Sequence, residues 1–137
     1  TRRSFTKEQR PDAALGWKAA KAVAGFDIGQ TVVVQAGAVV AVEGMEGTDA
    51  CVRRACELAR SQGREPALVV VKVAKPRQDC RFDIPVVGLD SLLNFRASGV
   101  RALALEAGAT LIFDRERFAA AADAAAIAVA GFPPEGP

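Results

Sequence analysis

Apolar and polar positions along this chain switch between two periods, and each switch marks an element. From 11 to 24, apolar residues return every three or four positions. This predicts a helix with Leu15, Ala19, Ala22 and Val23 on one side and Trp17 within it. TVVVQ (31–35) and AVVAVE (38–43) are β-branched runs around Ala36-Gly37. They predict a hairpin, and their unbroken apolar character predicts cover on both faces. After the glycine-bearing segment 43–49, the spacing predicts a helix over 50–60. Val52, Ala55 and Ala59 face inward there, and Arg53, Arg54, Glu57 and Arg60 outward. Thr48 or Asp49 is placed to cap it. A buried strand follows at 67–74, then a polar loop, a short strand at 85–87 and a short helix at 89–97. Strands are predicted at 101–105 and 110–113, with 106–109 as a hairpin or a crossover turn. An alanine-rich helix at 114–124, a short strand at 127–130 and a frayed tail at 131–137 complete the pattern. Strands and helices interleave. The expected fold class is therefore α/β, a layered domain with a central buried sheet, a β-hairpin and flanking helices.

Composition narrows the chemistry. The 137 residues are half hydrophobic and a quarter charged, as in a globular domain of ordinary size. Eighteen basic and sixteen acidic residues leave a net charge of +2, too balanced for a nucleic-acid binder. There is no histidine. That excludes Ser-His-Asp and Cys-His catalysis, histidine acid-base chemistry and histidine-ligated zinc. Any metal would be held by oxygen, which favours Mg²⁺, Mn²⁺ or Ca²⁺. Cys51, Cys56 and Cys80 make an odd count, and the first two are five apart in a helical pattern, on different sides. Reduced thiols and a cytoplasmic setting are expected. No signal peptide and no apolar run of membrane-spanning length is visible.

The most chemical segment is VKVAKPRQDCRFDIPVVG, 71–88. At the end of an apolar strand it gathers Lys72, Lys75, Arg77, Gln78, Asp79, Arg81 and Asp83. Paired carboxylates can hold a divalent cation or orient a water, and the neighbouring cations can neutralise phosphate oxygens. A solvated loop of salt bridges would have the same composition. Lys72 interrupts an apolar strand, so it must pair or snorkel out. The run Glu43-Gly44-Met45-Glu46-Gly47-Thr48-Asp49 leads through glycines into a helix start. Amides there can cradle a phosphate, though the carboxylates oppose an anion unless a metal mediates. Asp27-Ile28-Gly29-Gln30-Thr31 is a further candidate, a polar pair before a buried strand, with an ordinary turn as the alternative. Leu92, Leu93 and Phe95 place large apolar side chains on the short helix after the charged loop, with core packing as one reading.

Three blocks carry a family resemblance: DIGQ-T-VVV from Asp27, VE-x-x-EGTDA from Val42, and VKVAKP-x-QD-x-RFD-x-P-x-x-G from Val71. Together they resemble the UDP-2,3-diacylglucosamine pyrophosphatase family of lipid A biosynthesis, in its I-type form, over residues 4–129. Gln35 and Cys80 depart from the family pattern at uncharged positions. The resemblance implies a hydrolase that cleaves the pyrophosphate of UDP-2,3-diacylglucosamine to lipid X and UMP, with Mg²⁺ or Mn²⁺. It implies that 1–137 is the C-terminal, catalytic-type domain of a two-domain protein whose N-terminal α/β domain is absent from this chain. The implied site has Asp79, Lys75 and Arg81 as catalytic residues. Lys72, Gln78, Asp27, Gln30 and Thr48 would bind substrate, and Asp79, Asp83 and Glu46 would bind metal. The implied partners are UDP-2,3-diacylglucosamine or lipid X, the N-terminal domain and the inner-membrane surface, touched peripherally from the cytoplasmic side; a homodimer stays open. The competing reading is a non-catalytic phosphate- or lipid-binding module that completes a site housed in another domain.

Overall fold

The computed structural model describes residues 1–75 and 85–137. The expected α/β class holds: a mixed sheet lies between helices on both faces. The elements are α1 (Gln9–Gly25), β1 (Thr31–Gln35), β2 (Ala38–Val42), α2 (Thr48–Ser61), β3 (Leu68–Lys72) and β4 (Val86–Val87). They continue with α3 (Leu89–Ala97), β5 (Val100–Glu106), β6 (Leu111–Ile112), α4 (Arg115–Ala124) and β7 (Ala128–Phe132). The main sheet has the order β2-β1-β3-β5-β7. β1 runs antiparallel to β2 and β3, while β3, β5 and β7 are mutually parallel. The C-terminal ends of β3, β5 and β7 therefore lie at the same end of the sheet as the start of β1 and the end of β2.

Strand alternation divides the core into two layers. Val33, Leu68, Val70, Leu103 and Leu105 face α2, α3 and α4, packing on Val52, Ala55, Phe95 and Phe118. Val32, Val34, Val69, Val71, Ala102 and Ala104 face α1 and the N-terminal segment, where Trp17, Ala20 and Phe5 cover them. The α2 face is as its spacing predicts. The α1 face is not. Its buried residues are Asp12, Ala13, Gly16, Trp17, Ala20 and Ala24, whereas Leu15 is exposed. An alanine-rich helix offers little apolar contrast, so close approach selects the face: a Cβ on Gly16 would lie 2.7 Å from Val71 Cγ2. Asp12 reinforces that choice. It is buried, and its carboxylate accepts from the amides of Ala36 and Gly37 at 2.9 and 2.7 Å, tying α1 to the hairpin turn.

Two further expectations are corrected, for β2 and for the tail, and one open alternative is decided, at the 106–109 turn. β2 is an edge strand with Ala38 and Val39 exposed, so only β1 of the hairpin is covered on both faces. The 106–109 turn does not close a hairpin. β5 is already bonded by β3 and β7 on its two sides, and β6 instead pairs in parallel with β4 in a separate ribbon. The tail is anchored, because Phe132 ends β7 and meets the rings of Phe5 and Trp17 edge-on at 5.6 and 6.0 Å. On α3, Leu92 and Phe95 are core residues and Leu93 points outward, 64% exposed.

Candidate functional site

β3 alternation sends Lys72 to the same face as Leu68 and Val70, under the start of α2. The side chain is 4% exposed, and its Nζ donates to Thr48 Oγ1 at 2.6 Å. Lys72 is therefore a paired, buried charge, and the snorkelling alternative fails. Thr48 is the first residue of α2 and follows Gly47, whose φ of 85° suits glycine. No side chain caps this helix, contrary to the expectation for Thr48 and Asp49. The Thr48 hydroxyl is committed elsewhere. It donates to Glu43 Oε1 at 3.0 Å and lies 3.1 Å from Thr31 Oγ1. A hydroxyl has one proton and two lone pairs. Thr48 gives its proton to Glu43, so it accepts from both Lys72 and Thr31.

Glu43 is buried at the end of β2, and its Oε2 accepts from the Gln30 amide at 3.2 Å. Backbone fixes it too: its amide donates to Thr31 O at 2.9 Å. Its carbonyl lies so close to Gly29 that a Cβ there would sit 2.0 Å from the oxygen. Glycine is required at 29 for that approach. Gln30 O accepts from Val73 N at 2.9 Å, which joins the 26–30 turn to the end of β3. From the same turn Asp27, with φ 57°, pairs with Lys75 Nζ at 2.7 Å. The hydrogen bond from Lys75, then its charge, holds the exposed Asp27 carboxyl below its ordinary value. On the α1 side, Glu106 accepts from Ala74 N at 2.7 Å and from Lys21 Nζ at 2.7 Å, fixing the chain as it leaves β3.

Five of the residues singled out in the sequence therefore meet at the carboxyl end of the sheet: Asp27, Gln30, Thr48, Lys72 and Lys75. Glu46 stands apart from them. It pairs with Arg54, and its second oxygen accepts from Gly44 N at 2.8 Å. The Arg54 hydrogen bond leads the causes that lower its carboxyl to about 2. Gln78, Asp79, Arg81 and Asp83 lie outside the described residues. Among the described residues, no three His, Cys, Asp or Glu side chains gather as a metal-binding group. Cys51 and Cys56 are free and buried, and burial pushes the Cys51 thiol up to about 11, so it stays protonated. Glu43 and Thr31 lay inside candidate segments without being assigned a site role, and Glu106 was read only as part of a turn. Their partners come from three or four separate elements, and the one available signal was a carboxylate at the end of an apolar strand.

Positive groups gather at this end of the sheet beside the carboxylates of Glu43 and Asp27. Backbone amides at the start of α2 present positive partial charge. Lys72 lies against that same end, and Lys75 stands on the adjoining segment. In open sheets with parallel strands, ligands bind beyond the carboxyl ends. No helix among the described residues is long and apolar enough to cross a membrane.

A family model described as the LpxI C-terminal domain matches residues 1–130. The chain belongs to that family. It is 36% identical over 131 residues to UDP-2,3-diacylglucosamine pyrophosphatase LpxI of Caulobacter vibrioides, a match covering 93% of this chain and 47% of that protein. The chain thus spans about half the length of this LpxI relative, and the resemblance carried by the three motif blocks is borne out.

Proposed function

We propose that the LpxI-type protein carrying this domain hydrolyses the pyrophosphate of UDP-2,3-diacylglucosamine, giving 2,3-diacylglucosamine 1-phosphate and UMP for lipid A biosynthesis. The observation that carries the reading is the convergence of Lys72, Lys75 and the α2 N-terminus at one end of the sheet, on the segment that leads into Asp79, Arg81 and Asp83. A pyrophosphate carries negative charge that repels an incoming oxygen. Fixed cations lower that barrier, most of all when placed against charge that grows in the transition state. Lys75 and Arg81 are assigned to the phosphoryl oxygens, and Lys72, Gln30, Asp27 and Gln78 to substrate binding, while Thr48, its hydroxyl committed within the protein, serves by holding Lys72. Asp79 aligns the water or holds metal.

Mg²⁺ or Mn²⁺ belongs to this proposal as a neutraliser of phosphate charge when bound. With Glu46 engaged by Arg54 and Gly44, its oxygen ligands are assigned to Asp79 and Asp83. The N-terminal half of the protein is proposed to complete the cleft. The proposed setting is the cytoplasmic face of the inner membrane, where the acylated substrate is reached.

Asp79→Ala in the full-length protein is expected to cut UMP release by about 10²-fold or more while the protein stays folded. Release within about threefold of wild type would remove Asp79 from the mechanism. A second reading, a phosphate-binding module with its chemistry in the other half, is favoured by the 47% share of the relative that this chain spans. Under that reading, Asp79→Asn strengthens UMP binding, because one anion repels another.

A further inference from the structure

We propose that Glu43 is a positioning residue for Lys72, acting through the Thr48 hydroxyl. The inference rests on the hydrolase reading and extends it to a carboxylate that touches neither substrate nor lysine directly. Lys72 is in an unfavourable place for a cation. It is buried, and it lies at the positive end of α2, where the helix dipole repels it. Glu43 supplies the carboxylate at the end of the hydrogen-bonded chain Lys72–Thr48–Glu43, with links of 2.6 and 3.0 Å. Glu43 is itself fixed from two sides, by the Gln30 amide and by the Gly29 contact with its carbonyl. Donor and acceptor directions are fully determined along the chain. Glu43 orients the Thr48 proton, and the Thr48 lone pairs then receive Lys72 and Thr31. Fixing the Thr48 bond sets the direction of the ammonium, so Glu43 takes part in setting where the Lys72 charge is held at the carboxyl end of the sheet.

Each link can be cut without changing size. Glu43→Gln removes the charge and turns one of the two accepting oxygens into an NH2 donor, so Thr48 Oγ1 and Gln30 N no longer each face an acceptor. Thr48→Val removes the hydroxyl at nearly equal volume, and Thr48→Ser keeps it. In the full-length protein, followed by UMP release from UDP-2,3-diacylglucosamine, Glu43→Gln and Thr48→Val are each expected to lower kcat/KM by about 10- to 100-fold, with Thr48→Ser restoring most of the loss. In a Lys72→Met background, Glu43→Gln is expected to change kcat/KM by less than about threefold, since residues acting as one unit are not additive. Far-ultraviolet dichroism reports whether each variant is folded, and the comparison of Lys72→Met with the double variant keeps this arm readable if Glu43→Gln alone unfolds. Equal losses from Glu43→Gln with and without Lys72 would overturn the inference and make Glu43 a structural residue only. So would a Glu43→Gln protein within threefold of wild type. Absence of UMP release from wild type would instead overturn the hydrolase reading, and this inference with it.

Discussion

At the residue scale, what separates the charged side chains is how many elements their partners come from. Lys72 stands out in the sequence because a lysine within a valine run has few ways to be satisfied. Glu43 does not stand out, since its environment assembles Thr48, Gln30 and Gly29 from different segments. Glu46 was legible as a carboxylate near the site, but not as the partner of Arg54 two helical turns on. That pair makes a pH prediction. The Glu46 carboxyl is lowered from 4.5 to about 2, so the folded state binds its proton less readily than the unfolded chain. Its contribution to stability is then complete above pH 4.5 and is lost as pH falls toward 2. The pair is exposed, so the effect is small and screened by salt. Urea melts of wild type and Glu46→Gln are expected to differ at pH 6 and to converge at about pH 2. A gap that does not narrow would place the contribution outside the ion pair.

At the element scale, the strands were read well because β-branched runs between turn residues leave little ambiguity: β1 falls on its predicted bounds, and so does the helix α3. Pairing was harder. Whether β5 and β6 form a hairpin depends on which strands already occupy the edges of β5, and that is a property of the sheet. The inner face of α1 was obscured by alanines, and it is set by Gly16 and by the buried Asp12. The exit of β3 matters most for the site. Glu106, the last residue of β5, holds Ala74 N with one oxygen and Lys21 with the other. Glu106→Ala would leave a buried amide and a lysine without their acceptor, at a cost of about 1–3 kcal/mol. Glu106→Gln, which keeps one acceptor, is expected to lose less. A loss below about 0.5 kcal/mol for the alanine variant would show that the start of the 75–85 segment does not depend on this clamp.

At the scale of the whole molecule, the chain has two continuous core layers on one sheet, so this domain is expected to fold by itself. Its proposed substrate has a nucleotide head and two acyl chains, and long clefts form preferentially between domains. The isolated chain is therefore expected to release UMP far more slowly than the full-length protein, with part of the deficit recovered when the other half is added in trans. Full activity from the 137 residues alone would sink the shared cleft. The family and the fold class were legible in the motif blocks and the interleaved elements, whereas the docking of the last residues was not. Pro and Gly near a terminus read as fraying, yet Pro134 O accepts from Trp17 Nε1 at 3.2 Å and Gly136 lies against the indole. That has a spectroscopic consequence. Trp17 is the sole tryptophan and there is no tyrosine, so the native emission of the chain comes from one ring boxed by β7 and the residues after it. Fluorescence from this chain reads the docking of its C-terminal end on α1, while far-ultraviolet dichroism reads all the helices. The two signals superimpose during unfolding where that end leaves with the sheet, and they separate where it lets go first.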